Sequence, residues 1–179
     1  MKKSIATLVL LVCSLLLRAQ APEIQWQMSF GGDEDDVLHV VKPTNDGGYI
    51  IGGFSESNGT GDKTDTTRGY FDIWVLKLDR QHNIEWQRTL GGSNDEGVYD
   101  IFQTSDTGYV LFGVSGSGAS GDKTDTARDP WPVDMWLLKL DKSGAIEWQK
   151  TIGGDGLDGA SFGVSMGVDV GDWSVPGTI

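Results

Sequence analysis

An internal repeat constrains the fold of this chain more than any other feature. The motif Trp-Gln-x-x-x-Gly-Gly occurs three times, beginning at Trp26, Trp86 and Trp148, so the repeat length is 60 and then 62 residues. Three further motifs match between the first two copies: Asp46-x-Gly-Tyr49 with Asp106-x-Gly-Tyr109, Gly61-Asp-Lys-Thr-Asp-Thr66 with Gly121-Asp-Lys-Thr-Asp-Thr126, and Asp72-x-Trp-x-x-Lys-Leu-Asp79 with Asp134-x-Trp-x-x-Lys-Leu-Asp141. Matches at fixed offsets predict one structural unit that is built repeatedly.

Each complete copy predicts four β-strands and no helix. In the first copy the predicted strands are 37–42, 49–55, 72–78 and 84–90, and turn-forming residues separate them. The second and third strands are apolar on both faces, whereas the fourth alternates like a strand with one face in solvent. The expected fold is therefore all-β, an incomplete β-propeller of four-stranded antiparallel blades, with a β-solenoid as the alternative.

The chain divides into three segments. Residues 1–21 combine Lys2 and Lys3 with an apolar run that ends in small residues, which predicts a secretory signal peptide cleaved after Ala19 or Ala21. Residues 22–159 hold two blades, a preceding outer strand at 24–30 and the start of a third repeat. Residues 160–179 abandon the repeat and are interpreted either as a divergent cap or as the result of a frameshift or truncation. Because propellers close with about 4 to 8 blades, we expect open blade edges that favour self-association.

Composition restricts the partners. The net charge is -12, and loss of the signal peptide removes three basic residues and no acidic one, leaving 11 basic against 26 acidic side chains, a charge of -15. Nucleic acid is therefore not an expected partner. Export predicts an extracellular or outer cell-surface location, with no membrane span after signal cleavage. The one cysteine, Cys13, leaves with the signal peptide, so disulfides are not expected.

The repeated motifs resemble those of a family of secreted bacterial propeller proteins exported by the type IX system, with a looser, kelch-like similarity. The resemblance covers residues 24–158 and rests on Trp-Gln-x-Thr-x-Gly-Gly, Asp-Gly-Gly-Tyr and Asp-x-Trp-x-x-Lys-Leu-Asp. It implies a surface or extracellular propeller, usually longer than this chain. The expected function is a non-catalytic binding or scaffolding module for an extracellular protein or glycan. The alternative is a fragment of a secreted carbohydrate-active propeller enzyme.

The repeated Gly-Asp-Lys-Thr-Asp-Thr loop is the candidate metal site. Asp62 and Asp65 in the first copy, and Asp122 and Asp125 in the second, could supply oxygen ligands to Ca²⁺. The alternative is a turn held by Asp and Thr side chains that bond to nearby backbone groups. Thr66 and Thr126 follow an aspartate in both copies, and this pattern resembles the O-glycosylation acceptor of bacteria with type IX secretion.

The tryptophans are interpreted as packing residues with one exception. Trp26, Trp74, Trp86, Trp136 and Trp148 recur with their strands, which favours packing between blades over a carbohydrate platform. Trp131 lies instead between two prolines in the two-residue insertion of the second copy, where it could contact a ligand. No catalytic motif is present in the sequence, so no catalytic residue and no organic cofactor are predicted.

Overall fold

The structure of the protein, a computed structural model, describes residues 22–125 and 133–154. Every regular element in these residues is a β-strand. The strands form two antiparallel sheets, β1 to β4 and β5 to β8, each with its strands in chain order. Their bounds are β1 Asp36–Pro43, β2 Tyr49–Ser55, β3 Asp72–Leu78, β4 Ile84–Leu90, β5 Glu96–Gln103, β6 Tyr109–Ser115, β7 Asp134–Leu140 and β8 Ile146–Ile152. The all-β prediction and the four strands of each copy are confirmed.

The predicted outer strand at residues 24–30 is wrong as a strand. The structure assigns these residues to no sheet, although their sequence matches β4 and β8. In the complete copies this strand pairs with the Asp-x-Trp strand of its own sheet, β4 with β3 and β8 with β7. The described residues contain no Asp-x-Trp strand before residue 24, and residues 24–30 form no ladder with the strands that are described.

The two sheets stack face to face, and a different face of each sheet takes part in the contact. We call the side of each sheet that carries the Asp-x-Trp tryptophan its leading face and the opposite side its trailing face. Ile50, Ile73 and Val75 on the trailing face of the first sheet pack against Leu111, Trp136 and other residues on the leading face of the second. This arrangement is heterologous, because two different surfaces of the same repeat meet.

The two outermost faces of the pair are only partly covered. On the leading face of the first sheet, Ile51, Trp74, Leu76 and Leu78 form a second, smaller core against which Phe30 packs. The trailing face of the second sheet carries Met135, Trp148 and Ile152, all more than one third exposed. Both faces therefore present the apolar residues that the repeat buries where one sheet covers the next.

The lysine of the Asp-x-Trp-x-x-Lys motif is buried at one end of each sheet. Lys77 Nζ lies 2.8 Å from carboxylate oxygens of both Asp46 and Glu85, and Lys139 Nζ lies 3.0 Å from those of Asp106 and Glu147. Each ammonium also donates to the next residue's carbonyl. Two hairpin carboxylates thus neutralise one buried cation, which explains why these motifs recur together.

Candidate binding site

A glutamine fastens the Gly-Asp-Lys-Thr loop to its sheet in both copies. Gln87 Oε1 accepts hydrogen bonds from Thr64 N and from the indole of Trp74, while its Nε2 donates to the Asp62 carbonyl. Gln149 makes the same three bonds, to Thr124, Trp136 and Asp122. The Trp-Gln motif therefore has a structural role, because it joins the outer strand, the buried indole and the loop.

The first aspartate of each loop holds the preceding Gly-Gly connection. Asp62 Oδ2 accepts a hydrogen bond from Gly31 N, and Asp122 Oδ2 accepts one from Gly91 N, both at 3.2 Å. Asp122 also lies 3.1 Å from the guanidinium of Arg68. Burial raises the pKa of Asp122, against the lowering effect of these two partners.

The second aspartate of the loop accepts a hydrogen bond from a different backbone group in each copy. Asp65 Oδ1 accepts from the amide of its neighbour Thr66, and Asp125 Oδ2 accepts from Thr151 N. The described residues contain no group of three or more His, Cys, Asp or Glu side chains arranged to hold a metal ion. Only the bond of Asp65 is local, as the turn alternative predicts, because the other three aspartates accept from residues that are distant in sequence. Ca²⁺ binding at these loops stays a prediction.

The remaining candidates from the sequence fall in different places. Thr66 is exposed on its loop, whereas Thr126 and Trp131 lie outside the described residues. Trp74 and Trp136 are buried and Trp86 packs against the central core, which confirms their interpretation as packing residues. Trp26 and Trp148 are each 40 % exposed, and both belong to faces that no described sheet covers.

The loop end of the sheets also contains buried charge. Lys63 is almost fully buried and donates from Nζ to Ser55 Oγ, while its counterpart Lys123 donates to the Ser117 carbonyl. Glu96 accepts from Ser115 Oγ and Gly92 N, each at 2.6 Å. Burial lowers the pKa of both lysines and raises the pKa of Glu96. These three charged groups are therefore already hydrogen-bonded within the protein.

Five rings form a continuous chain beside this buried charge. The ring centroids are 4.8 Å apart for Tyr70 and Phe71, 4.8 Å for Phe71 and Phe54, 5.0 Å for Phe54 and His39, and 6.1 Å for His39 and Tyr99. The chain passes from the first sheet to the second, because Tyr99 lies on β5. Aromatic pairs at such distances pack with specific geometry.

A cavity of about 200 Å³ opens along this chain, and we call it the aromatic groove. His39, Phe54 and Phe71 line it from the first copy, and Glu96, Tyr99 and Val114 are among the residues that line it from the second. His39 and Tyr99 occupy the same repeat position, and each lies at a register shift of its innermost strand. Such bulges redirect a side chain, and here they bring two rings of neighbouring sheets parallel, at an interplanar angle of 5°.

Carboxylates surround the exposed end of the ring chain. Asp95 lines the groove next to Glu96. Hydrogen bonding to Glu56, together with the negative charges of Glu56, Asp35 and Asp95, raises the pKa of the Tyr70 hydroxyl. His39 Nδ1 lies 2.9 Å from the Val98 carbonyl, which can only accept, so this nitrogen carries the proton and the ring orientation is fixed.

Sequence reasoning missed this groove, although a signal was present. Phe54 and Phe71 correspond to Val114 and Val133 in the second copy, and His39 corresponds to Tyr99. The repeat therefore does not require rings at the positions of Phe54 and Phe71, whereas both copies carry a ring at the position of His39 and Tyr99. Residues that match between the copies define the fold, whereas the groove contains residues that differ between them.

Tyr70 differs from the other large hydrophobic residues that are exposed, because the repeat predicts no neighbouring sheet at its position. Of the ten large hydrophobic side chains exposed in the described residues, three lie in residues 24–30, three on β1 beside that segment and three on the trailing face of the second sheet. Those nine lie at places where the repeat predicts a neighbouring blade. Tyr70, 64 % exposed, is the tenth, and no stacking position accounts for it.

Neither a protein-family model nor a curated protein matches this chain significantly. The described residues also contain no helix that is long and apolar enough to cross a membrane.

Proposed function

We propose that this chain is a segment of a secreted β-propeller and that it acts as a non-catalytic binding module at the cell surface. The aromatic groove would be its ligand surface. The observation that carries the proposal is a solvent-accessible chain of five rings at the junction of the two sheets, in which Phe54 and Phe71 stand where the second copy has valines. Ligand sites commonly combine such apolar surfaces with a few polar groups.

The sense of stacking supports the propeller part of the proposal. Each blade offers its trailing face to the leading face of the next, and an arrangement of this kind forms a ring when the rotation closes. The strand contacts between the two sheets are concentrated on β5, which meets β1, β2 and β3. Close approach at the inner strands is the geometry of wedge-shaped blades around an axis.

The opening segment gives independent support. Trp26 packs on Tyr49 at 5.2 Å, as Trp86 packs on Tyr109 at 5.7 Å. The amides of Asp33 and Glu34 donate to Thr60 and Ser57, as those of Ser93 and Asn94 donate to Ser120 and Ser117. Residues 24–34 thus occupy the place of an outer strand and connection from a preceding blade. The secreted location rests on residues 1–21 and on the resemblance of the repeat.

Binding can be tested with a designed pair of substitutions. The variant F54V/F71V places in the first copy the residues that the second copy has, Val114 and Val133, so it removes two rings while retaining side chains that the repeat accepts. We would screen the mature protein and this variant on glycan and peptide arrays, and analyse bound ligands by mass spectrometry.

The proposal predicts ligands that bind the wild-type protein, are lost from F54V/F71V and are recovered chemically unchanged. Binding that is identical in both proteins, or no binding on either array, would contradict the groove as a ligand surface. Turnover of a bound glycan would contradict the non-catalytic assignment and favour the enzyme alternative.

A further inference from the structure

The dimensions of the aromatic groove limit what it can hold. At about 200 Å³ it accommodates one extended side chain or a small head group, not a folded element. Its walls are rings and valines, and its described lining has two carboxylates and no Lys or Arg. An occupant should therefore combine a thin shape, apolar character along its stem and a complementary charge.

The carboxylates differ in what they can offer a ligand. Both Glu96 oxygens already accept short internal hydrogen bonds, from Ser115 and from Gly92. Asp95 is exposed, and its side chain accepts a long bond of 3.4 Å from Phe71 N among the described residues. Two further carboxylates lie near the Tyr70 hydroxyl and raise its pKa. They belong to Glu56, which is half-buried, and to Asp35, which is exposed. The groove mouth is thus negative, whereas its floor has few free hydrogen-bonding atoms.

This combination favours a cation over a sugar. A glycan needs several donors and acceptors around its hydroxyls, and the described lining supplies few. A cation is attracted by ring faces and by carboxylates together, and a guanidinium in particular stacks on aromatic planes while its fork pairs with a carboxylate. The net charge of -12 would also steer cationic partners toward the chain.

We propose that the aromatic groove binds an arginine side chain of an extracellular polypeptide, with the guanidinium against the rings and paired to Asp95. This inference rests on the proposed function, since it names the ligand class of the same groove. The arginine stem would lie along Phe54 and Phe71, and the exposed Tyr70 would contact the flanking peptide.

The test is a titration of ¹⁵N-labelled mature protein followed by NMR. The probe is the peptide acetyl-Ala-Arg-Ala-amide, and acetyl-Ala-citrulline-Ala-amide is the neutral control of nearly the same shape. We expect the arginine peptide to shift the amide signals of Phe71, Gly97 and Tyr99 in a saturable way, and the citrulline peptide to leave them unchanged. Affinity should fall as salt is raised, because carboxylates are exposed at the mouth.

Three variants locate the interaction. F54V/F71V and D95N should each lower the affinity for the arginine peptide by about three- to thirtyfold. This is the range expected for loss of a cation–ring or carboxylate contact. E147Q removes a carboxylate at the opposite end of the second sheet, where it pairs with Lys139, and should leave the affinity unchanged. The amide spectrum of each variant establishes that it is folded.

The alternative outcomes separate this inference from the proposed function. Equal binding of the citrulline peptide, or equal weakening by E147Q and D95N, would overturn the arginine assignment. A glycan that binds the wild type and is lost from F54V/F71V, with no response to the arginine peptide, would also overturn it while leaving the binding module intact. No ligand of either class at the groove would contradict both.

Discussion

Trp74 and Trp136 occupy the same position in consecutive repeats, yet their surroundings differ. Each indole donates to the equivalent glutamine, Gln87 at 2.9 Å and Gln149 at 3.1 Å. Trp136 belongs to a core that includes residues of all four strands of the first sheet, whereas Trp74 packs in the smaller core beside Phe30 and borders a cavity of about 340 Å³. The difference shows that one sheet does not contain its own core, because the neighbouring sheet supplies one wall.

Replacement of the two tryptophans should therefore have unequal effects. W136A removes a fully buried ring between two sheets and should lower the free energy of unfolding by about 3–5 kcal/mol. W74A loses the same hydrogen bond but less packing, and we expect about 2–3 kcal/mol. Urea denaturation of both variants measures the difference. Equal losses would mean that residues 24–30 cover the first sheet as fully as a blade does.

Replacement of Gln87 and Gln149, in contrast, should lower the free energy of unfolding equally in both copies. Q87A and Q149A each remove one side chain that makes three hydrogen bonds, two to the loop and one to the indole. We expect each to cost about 1–3 kcal/mol, because the buried tryptophan loses the acceptor of its indole N–H and the loop loses two bonds. These contacts lie within one repeat, so unlike the tryptophans they should not depend on the neighbouring blade. A difference as large as that between W74A and W136A would reject this distinction.

The smallest expected effect concerns pH. Hydrogen bonds from Thr104 and Gly108, together with the Lys139 ammonium, lower the pKa of Asp106 from 3.8 to about 2. A carboxyl whose pKa is depressed in the folded state stabilises the protein above its unfolded pKa, and this stabilisation is lost as the pH falls toward 2. D106N should therefore flatten the loss of melting temperature between pH 4 and pH 2.

Asp46 provides the matched comparison for Asp106. Burial opposes the shift at Asp46, but its bonds to Lys77, Thr44 and Gly48 outweigh it and hold its pKa well below the usual range. D46N should accordingly flatten the same acid limb of the stability curve. If neither variant changes the slope between pH 4 and pH 2, these hairpin carboxylates do not contribute to acid sensitivity.

The sequence predicted the strands because the repeat constrains them twice. The four strands of the first copy were expected within one residue, since alternation and turn residues in one copy are checked by the other. Residues 24–30 were predicted as a strand from the same match, but a strand also needs a backbone partner, and no repeat motif reports whether that partner is present. Local sequence defines the segment, while pairing is decided by what lies beside it.

The candidate site was less accessible from the sequence for a related reason. Asp62 and Asp122 recur in both copies and were predicted as Ca²⁺ ligands for that reason. The structure shows each of them bonded to a backbone amide, of Gly31 and of Gly91. Phe54 and Phe71 correspond to Val114 and Val133 in the second copy and look like ordinary strand and loop residues. Only the stacking of two sheets brings them beside His39 and Tyr99, so their grouping depends on tertiary structure.

Amide hydrogen exchange at residues 24–34 tests most directly whether the opening segment docks on the first sheet in the position that the outer strand takes in the second repeat. We predict fast exchange at residues 24–30, which belong to no sheet, and slow exchange at the amides of residues 84–90 that donate to β3. It also predicts protection at residues 31–34, whose amides bond to Asp62, Asp36, Thr60 and Ser57, comparable to that at residues 91–94. Fast exchange throughout residues 24–34 would contradict the docking of this segment on the first sheet and the proposal that the sheets are propeller blades.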